Sequence, residues 1–595
     1  MKFECTINGA QIDCVLTADS DILRPVLCTS GLAPMTIVHG GQLLTQTGSY
    51  IEVQLPNLET DVPYALSLGY DGFTPANRAW LPLGPYLRTV DGMTRQLPSD
   101  WSGFHVASDA PNSTFSGLKL IPQPTHWVPT GQIVLINGYT CENGAMQSVA
   151  ALAQRQNNGQ FLHPDGHPIK IKAADLPRDA YTLVITPDGI TVTAANVGGR
   201  FYAGITLLML LRTHNGEIPC GTLTDTPRFG WRGQHLDCAR HFYKLETIFE
   251  VLDLMALLKL NRFHWHFADD EAFRLQVDCL PALWQHTEMR GEGHLIPAIF
   301  SGAAQAGGSY SKDDARAVIA HAKALNIDVM PEIEVPAHAL ALAKVFPDTR
   351  DPDDTGSERS VQGYTANVVN PAMPKTWDIL ASLATEVGAL FPFGVLHLGC
   401  DELPADTWIG SPRAKALMAK EGLETTQDLQ GWTMSRLAQS VVQNGQRPAA
   451  WEEAAQGKND GIGHDAILFS WTGAAPGLAA ARAGYDVVMT PAPHVYMDMA
   501  HTNDVDDWGA NWAGNVSLAD TVAWDVIPAD EPELAEHIIG VQGAFWSEFT
   551  TQDDQLWPML VPRILGIASK GWQINDITPA DLHSLAADFK RVWQV

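Results

Sequence analysis

Residues 231–271 read WRGQHLDCARHFYKLETIFEVLDLMALLKLNRFHWHFADDE, and the order of patterns within them decides the fold. A strand-like run, WRGQHLDCA, is followed by helical periodicity through LETIFEVLDLMALLKL and then by a second strand-like run, NRFHWHF. Strand, helix, strand is the repeating unit of a parallel sheet. The alternation continues through SKDDARAVIAHAKALN, IDVMPEIEV, MPKTWDILASLATEVGAL and GVLHLG. Later strand-like runs read RPAAWEE, AILFSW, YDVVMT and VQGAFWSE, with a helix expected between Gln555 and Ser569. Eight strand starts over about 365 residues predict a (β/α)8 TIM barrel across 227–595, with enlarged loops.

Working outward, residues 1–105 carry short alternating runs such as SYIEVQLP and VPYALSLGY between Gly, Pro and Thr, which predicts an N-terminal β-rich domain. Residues 106–226 mix strand-like QIVLING, YTLVITP and GITVTAA with helical AMQSVAALAQRQ and AGITLLMLLRTH, which predicts an α+β domain ending near LTDTPRFG. The expected class is therefore α/β, a TIM barrel preceded by two smaller domains.

Lys+Arg number 38 against 67 Asp+Glu, so the net charge is −29, which argues against nucleic-acid or anionic-membrane partners because both require clustered cations. The same acidity points to a neutral or cationic substrate rather than a polyanion, although solubility alone explains it equally well. No apolar run reaches membrane-spanning length, and MKFECTINGAQIDCVLTADS lacks a secretory pattern, so a cytoplasmic protein is expected unless a leader has been removed. The eight cysteines are scattered without CxxC pairing, and no HExxH-type spacing occurs, so neither a disulfide framework, a metal nor a cofactor is expected.

In a barrel of this kind, reacting groups sit where strands end. Those ends carry Asp237 and Arg240; His264, His266, Asp269 and Asp270; Glu332, Glu334 and His338; and His397, Asp401 and Glu402. They continue with Trp451, Glu452 and Glu453, then Trp471, then Tyr496 and Asp498, and finally Trp546 and Glu548. One acidic end is often only a helix cap. Eight ends bearing carboxylate, His, Arg or Trp describe one polar, Trp-walled pocket. Flat aromatic faces stack on pyranose C–H surfaces, carboxylates and Arg hold hydroxyls, and a carboxylic acid can act on an acetal.

HLGCDE at 397–402 resembles the H-x-G-G-D-E signature of family 20 glycoside hydrolases, the β-N-acetylhexosaminidases. WRGQHLDCARHF, LNRFHWHFADDE, PEIEVPAH, AAWEE, VYMD, NWAG and FWSE resemble that family's other motifs in order and spacing, and YTLVITPDGITVTAANVGGRFYAGITLLMLL resembles its α+β domain. The resemblance spans about 106–595; the first hundred residues resemble, by position, the extra β domain of some bacterial members. Three departures stand out: Cys400 replaces the second signature glycine, Ala337 replaces the glycine before His338, and Glu334 replaces Asp. The first two add a side chain where backbone freedom matters.

The resemblance implies an exo-acting, retaining hexosaminidase in which the substrate's own 2-acetamido oxygen attacks C1. Glu402 is then the general acid/base, Asp401 orients the acetamido N–H, and Tyr496 donates to the acetamido oxygen. Trp451, Trp471 and Trp546 enclose the acetyl methyl and sugar face, and Trp512 stacks on sugar or leaving group. Arg240 and Glu548 bind distal hydroxyls, and Asp498 binds a further hydroxyl or the acetamide network. Asp269 and His338 tune Glu402 and Asp401, while His266 and His397 orient loops. Each has a plainer reading: a Trp in barrel core, Arg240 in an ion pair with Asp237 or Asp269, or a histidine closing a hydrogen-bond network. The expected partner is a short oligosaccharide, with N-acetylglucosamine favoured over N-acetylgalactosamine and chitin-derived chains the expected source. Alternatives are a disaccharide-releasing or sulfated-sugar-specific relative, or a non-catalytic carbohydrate-binding barrel. Residues 1–105 are candidates for glycan binding or a homodimer contact.

Overall fold

The computed structural model describes residues 1–98, 115, 117–156, 159–297, 300 and 302–593; the expected boundary at 105/106 lies outside the described residues. Alternation of buried and exposed residues, clear in Gln11–Thr17 where Ile12, Cys14 and Leu16 point inward, builds an N-terminal pair of antiparallel sheets. One holds Lys2–Asn8, Gln11–Thr17, Pro63–Tyr70 and Met35–His39; the other holds Gln42–Thr47, Tyr50–Gln54, Val26–Ser30, Leu83–Arg88 and Thr94–Gln96. Leu16 and Leu68 of the first meet Leu27, Val53 and Leu87 of the second in one shared core, the arrangement of a β-sandwich.

A six-stranded mixed sheet follows, with helices Gly144–Arg155 and Val197–Thr213. Val197–Thr213 is apolar around nearly its whole circumference because it is covered twice, by its own sheet and by the barrel: Tyr202 packs edge-on against Trp572 at 5.0 Å. Asp225 accepts from Lys259 Nζ and Trp572 Nε1, both at 2.8 Å, and pins the two units together.

The barrel strands are β1 Trp231–Asp237, β2 Arg262–His266, β3 Asp328–Glu332, β4 Val395–His397, β5 Arg447–Trp451, β6 Ile467–Ser470, β7 Asp486–Met489 and β8 Ile538–Gly543. Each pairs in parallel with the next, and β8 closes on β1 through Trp231 and Gly540. All eight coincide with the strand-like runs of the sequence. The outer helices are less regular than the ideal. β5 is followed only by a 3-10 turn, Glu452–Ala455, and β7 by a single turn, Ala492–Val495, and a long loop. The helix expected between Gln555 and Ser569 is two, Leu556–Leu560 and Ile564–Trp572, because Pro562 has no N–H to continue the ladder. Among the described residues, no helix is long and apolar enough to cross a membrane.

Candidate active site

The carboxyl ends of the strands converge on a cavity of about 340 Å³. Arg240, His338, Asp401, Glu402, Trp471, Tyr496, Trp512, Trp546 and Glu548 line it. The acidic pair is presented by a tight turn after β4: Gly399, Cys400 and Glu402 have φ of +69°, +93° and +51°. A Cβ on Gly399 would collide with the Glu334 carboxylate, so glycine is obligatory there. Cys400 holds a conformation that side chains resist, fixed by donation of its N–H to Glu334 Oε1 at 2.9 Å and by Gln430 Nε2 on its carbonyl at 2.9 Å. The concern over backbone freedom therefore applies at Cys400; at the other position it is His338, at φ +49°, rather than Ala337 that adopts the left-handed region.

Asp401 is buried, and desolvation, partly offset by His338 and reinforced by Glu402, pushes its carboxyl up to about 6. Its Oδ1 has no hydrogen-bond partner among the described residues. Glu402 is more open, with Oε2 held by His338 Nε2 at 3.2 Å and Gln362 Nε2 at 3.1 Å. Behind it runs a chain of contacts: His338 Nδ1 to Asp269 Oδ1 at 3.0 Å, Asp269 Oδ2 to His266 Nε2 at 2.9 Å, and His266 Nδ1 to Glu332 Oε2 at 2.5 Å. Burial would depress His338, but Asp269 and Asp401 outweigh it and hold the imidazole well above its ordinary range, as a cation. Burial would likewise raise Asp269, and Arg240 and His338 outweigh it and keep the carboxylate ionised.

Arg240, 2% exposed, closes the opposite end. Its guanidinium meets Glu271 at 2.8 Å, Asp269 at 2.9 Å, Asp237 at 3.3 Å and Glu548 at 3.8 Å. The ion pairs with Asp237 and Asp269 meet the plain reading of Arg240, and the same side chain also lines the cavity. Glu548 is pushed up to about 8 by burial, despite Arg240.

The aromatic wall is a box. Trp471 lies nearly parallel to Tyr496 with centroids 6.5 Å apart, Trp512 stands edge-on to both at 5.8 Å, and Trp546 lies 6.2 Å from Tyr496. Trp471 is steered by Glu453, whose carboxylate accepts from its Nε1 at 3.0 Å. Three expected site residues stand behind the cavity rather than on it. Trp451 is wholly buried and donates Nε1 to Glu332 at 3.0 Å, because the last residue of β5 points into the barrel interior. Asp498, pushed up to about 7 by burial, and Asp269 are also screened from the cavity by the residues in front of them.

Sequence reasoning missed how several groups meet. Glu332 approaches His264 at 2.9 Å, His266 at 2.5 Å and His397 at 2.7 Å, a buried carboxylate hub assembled from three strands. Among the described residues its oxygens and these imidazoles form candidate metal-ligand groups that no linear spacing signals. Glu271 and Gln362 were invisible as site residues, and Glu453, though named at its strand end, carried no assigned role. Most unexpected, Leu32, Phe73 and Trp80 of the N-terminal sandwich line the same cavity.

Two family models match the chain: glycosyl hydrolase family 20, catalytic domain, over residues 229–575, and glycosyl hydrolase family 20, domain 2, over 117–226. A β-hexosaminidase of Vibrio furnissii is 33% identical over 487 residues, 79% of each chain. A β-hexosaminidase of Akkermansia muciniphila is 31% identical over 410 residues, 67% of this chain and 80% of its own. The crystal structure of a GH20 exo β-N-acetylglucosaminidase from Vibrio harveyi in complex with N-acetylglucosamine superposes with a TM-score of 0.87 at 28% identity, covering 99% of this chain and 98% of that one.

Proposed function

The chain belongs to glycoside hydrolase family 20 and is a glycoside hydrolase of the hexosaminidase type, and from that premise we propose that it releases single terminal β-linked N-acetylhexosamine residues from short oligosaccharides with retention of configuration. The observation that carries this reading is the pairing of Asp401 and Glu402 on one turn: one carboxylate buried with an oxygen unpartnered, the other exposed to the cavity and hydrogen-bonded to a cationic histidine.

In the first step Glu402 donates its proton to the glycosidic oxygen, the C1–O bond breaks, and the substrate's acetamido oxygen bonds to C1. Asp401 accepts the acetamido N–H, which stabilises the oxazolinium cation as it forms. Tyr496, buried between Trp471 and Trp546, donates to the acetamido oxygen and fixes its direction of approach. In the second step Glu402 removes a proton from water, whose oxygen displaces the acetamido oxygen at C1. The chief gain is proximity, because intramolecular nucleophiles reach effective molarities of roughly 10⁵–10⁸ M.

The alternative of an enzyme nucleophile is disfavoured by the lining. Among the described cavity residues the acids are Asp401, Glu402 and Glu548, and Glu548 faces Arg240 at the closed end. That closed end supports removal of one sugar at a time over release of disaccharides. N-Acetylglucosamine is favoured because the Vibrio harveyi relative was crystallised with it. The test compares an aryl β-N-acetylglucosaminide with the corresponding aryl β-glucoside. The glucoside lacks the nucleophile, so its kcat/KM is expected to be orders of magnitude lower; equal rates would exclude the mechanism.

A further inference from the structure

The sequence left the N-terminal sandwich with only generic roles, yet it forms part of the cavity wall. Leu32, Phe73 and Trp80 line the space that Asp401 and Glu402 also line. Trp80 is fixed from behind: Tyr70 packs edge-on against it at 5.1 Å and donates its hydroxyl to the Trp80 carbonyl at 2.6 Å. Phe73 leans on Trp80, with ring centroids 6.1 Å apart, and is itself half exposed.

The position of these rings is set by direct bonds to the barrel. Arg78 N donates to Asp507 O at 3.2 Å and Asn77 Nδ2 to Gly509 O at 3.0 Å, on the very loop that carries Trp512. A second clamp joins Arg88 to Glu292 at 2.8 Å. With Ala303 N donating to Leu83 O at 3.1 Å as well, the sandwich is attached at several points to the barrel's catalytic face.

Burial shows which end of the cavity Phe73 occupies, with Trp80, 6% exposed, backing its ring. Exposure rises from 2% at Arg240 and 8% at Trp546 to 51% at Phe73 and 58% at Trp512, so Phe73 and Trp512 stand at the mouth and Arg240 at the floor. The floor offers charge for hydroxyls; the N-terminal contribution is uncharged and flat. If the terminal sugar occupies the floor, the residue linked through the scissile oxygen meets the mouth.

We propose that Leu32, Phe73 and Trp80 form the subsite for the leaving group, receiving the C–H face of the pyranose ring that departs, so that the N-terminal sandwich is a component of the active site. This rests on the hexosaminidase reading above.

The test uses the full chain with Phe73→Ala, whose exposed side chain can be removed without opening the core, and two substrates. One is a β-linked N-acetylglucosamine disaccharide; the other is β-N-acetylglucosaminyl fluoride, whose leaving group is a single atom. On the disaccharide kcat/KM is expected to fall by about tenfold, mainly through KM, as one aromatic stacking contact is lost. On the fluoride it is expected to stay within about twofold, and Phe73→Trp should restore disaccharide turnover. An equal fall on both substrates, or an unchanged disaccharide rate, overturns the subsite. Wild-type protein that cleaves neither overturns this inference together with the hexosaminidase reading; wild-type turnover of both with Phe73 silent overturns the subsite alone.

Discussion

Asp401→Asn is expected to stabilise the protein while abolishing its activity. Asp401 titrates at about 6 in the folded chain against 3.8 ordinarily, chiefly because burial disfavours its charge. A carboxylate raised in the native state is ionised more easily when the chain is unfolded, so wild-type stability falls as pH rises from about 4 through about 6 and the full penalty applies above that. At 1.36 kcal/mol per pH unit the penalty is about 3 kcal/mol, and that is the ceiling on what the amide can recover. The recovery is smaller to the extent that the cationic His338, 3.8 Å from Asp401, loses an anion that attracts it. The measurement is the urea midpoint of wild type and variant at about pH 4 and about pH 7.5, with activity assayed in parallel. The two proteins should unfold at nearly the same midpoint at the lower pH, and the variant later at the higher. A variant that is less stable at pH 7.5, or a gain that does not change with pH, would refute the claim that the ionised Asp401 is held at a cost.

Glu402→Gln should lower kcat/KM roughly 10²–10⁴-fold on oligosaccharides but far less on substrates with an activated phenol leaving group; a uniform loss across leaving groups would exclude Glu402 as the acid. Asp269→Asn removes the principal anion holding His338 as a cation. The imidazolium should then lose its proton at lower pH, and the alkaline limb of the kcat profile should move down with it; an unmoved limb would contradict the relay. Glu332→Gln leaves His266, which burial disfavours and Glu332 chiefly holds up at about 10, without its main counter-charge. It should destabilise the protein by about 3–5 kcal/mol in urea unfolding, and a change under about 1 kcal/mol would deny Glu332 its place as the hub.

The barrel was legible because the information for each strand is local. The pleat of β2 sets Phe263, Trp265 and Phe267 in alternation with Arg262, His264 and His266, and burial of one helix face produces the spacing in LETIFEVLDLMALLKL, so both can be read without knowing what covers them. The same locality exposed the acidic pair of the cavity, since Asp401 and Glu402 are chain neighbours. It also explains the misreading near the C-terminus, where helical periodicity through Gln555–Ser569 masked a break that Pro562 makes. Trp451 shows the limit in another form. Its position at a strand end could be read, whereas the inward direction of its side chain depends on the pleat of β5 and on Glu332 from β3.

The sequence by itself determined the kind of elements, their order around the barrel and the residue types available at each strand end, because these follow from periodicity and from short-range chemistry. Only the tertiary structure decided which of those residues meet. Arg240 and Glu548 lie over three hundred residues apart and face each other because β1 and β8 close the barrel. Glu332 gathers histidines from β2 and β4 because it stands between them. Phe73, backed by Trp80, reaches the cavity mouth because the Asn77 side chain and the Arg78 N–H bond the loop after β7. Contacts of this range leave no periodic trace in the chain, since either partner alone is an ordinary residue in its own segment.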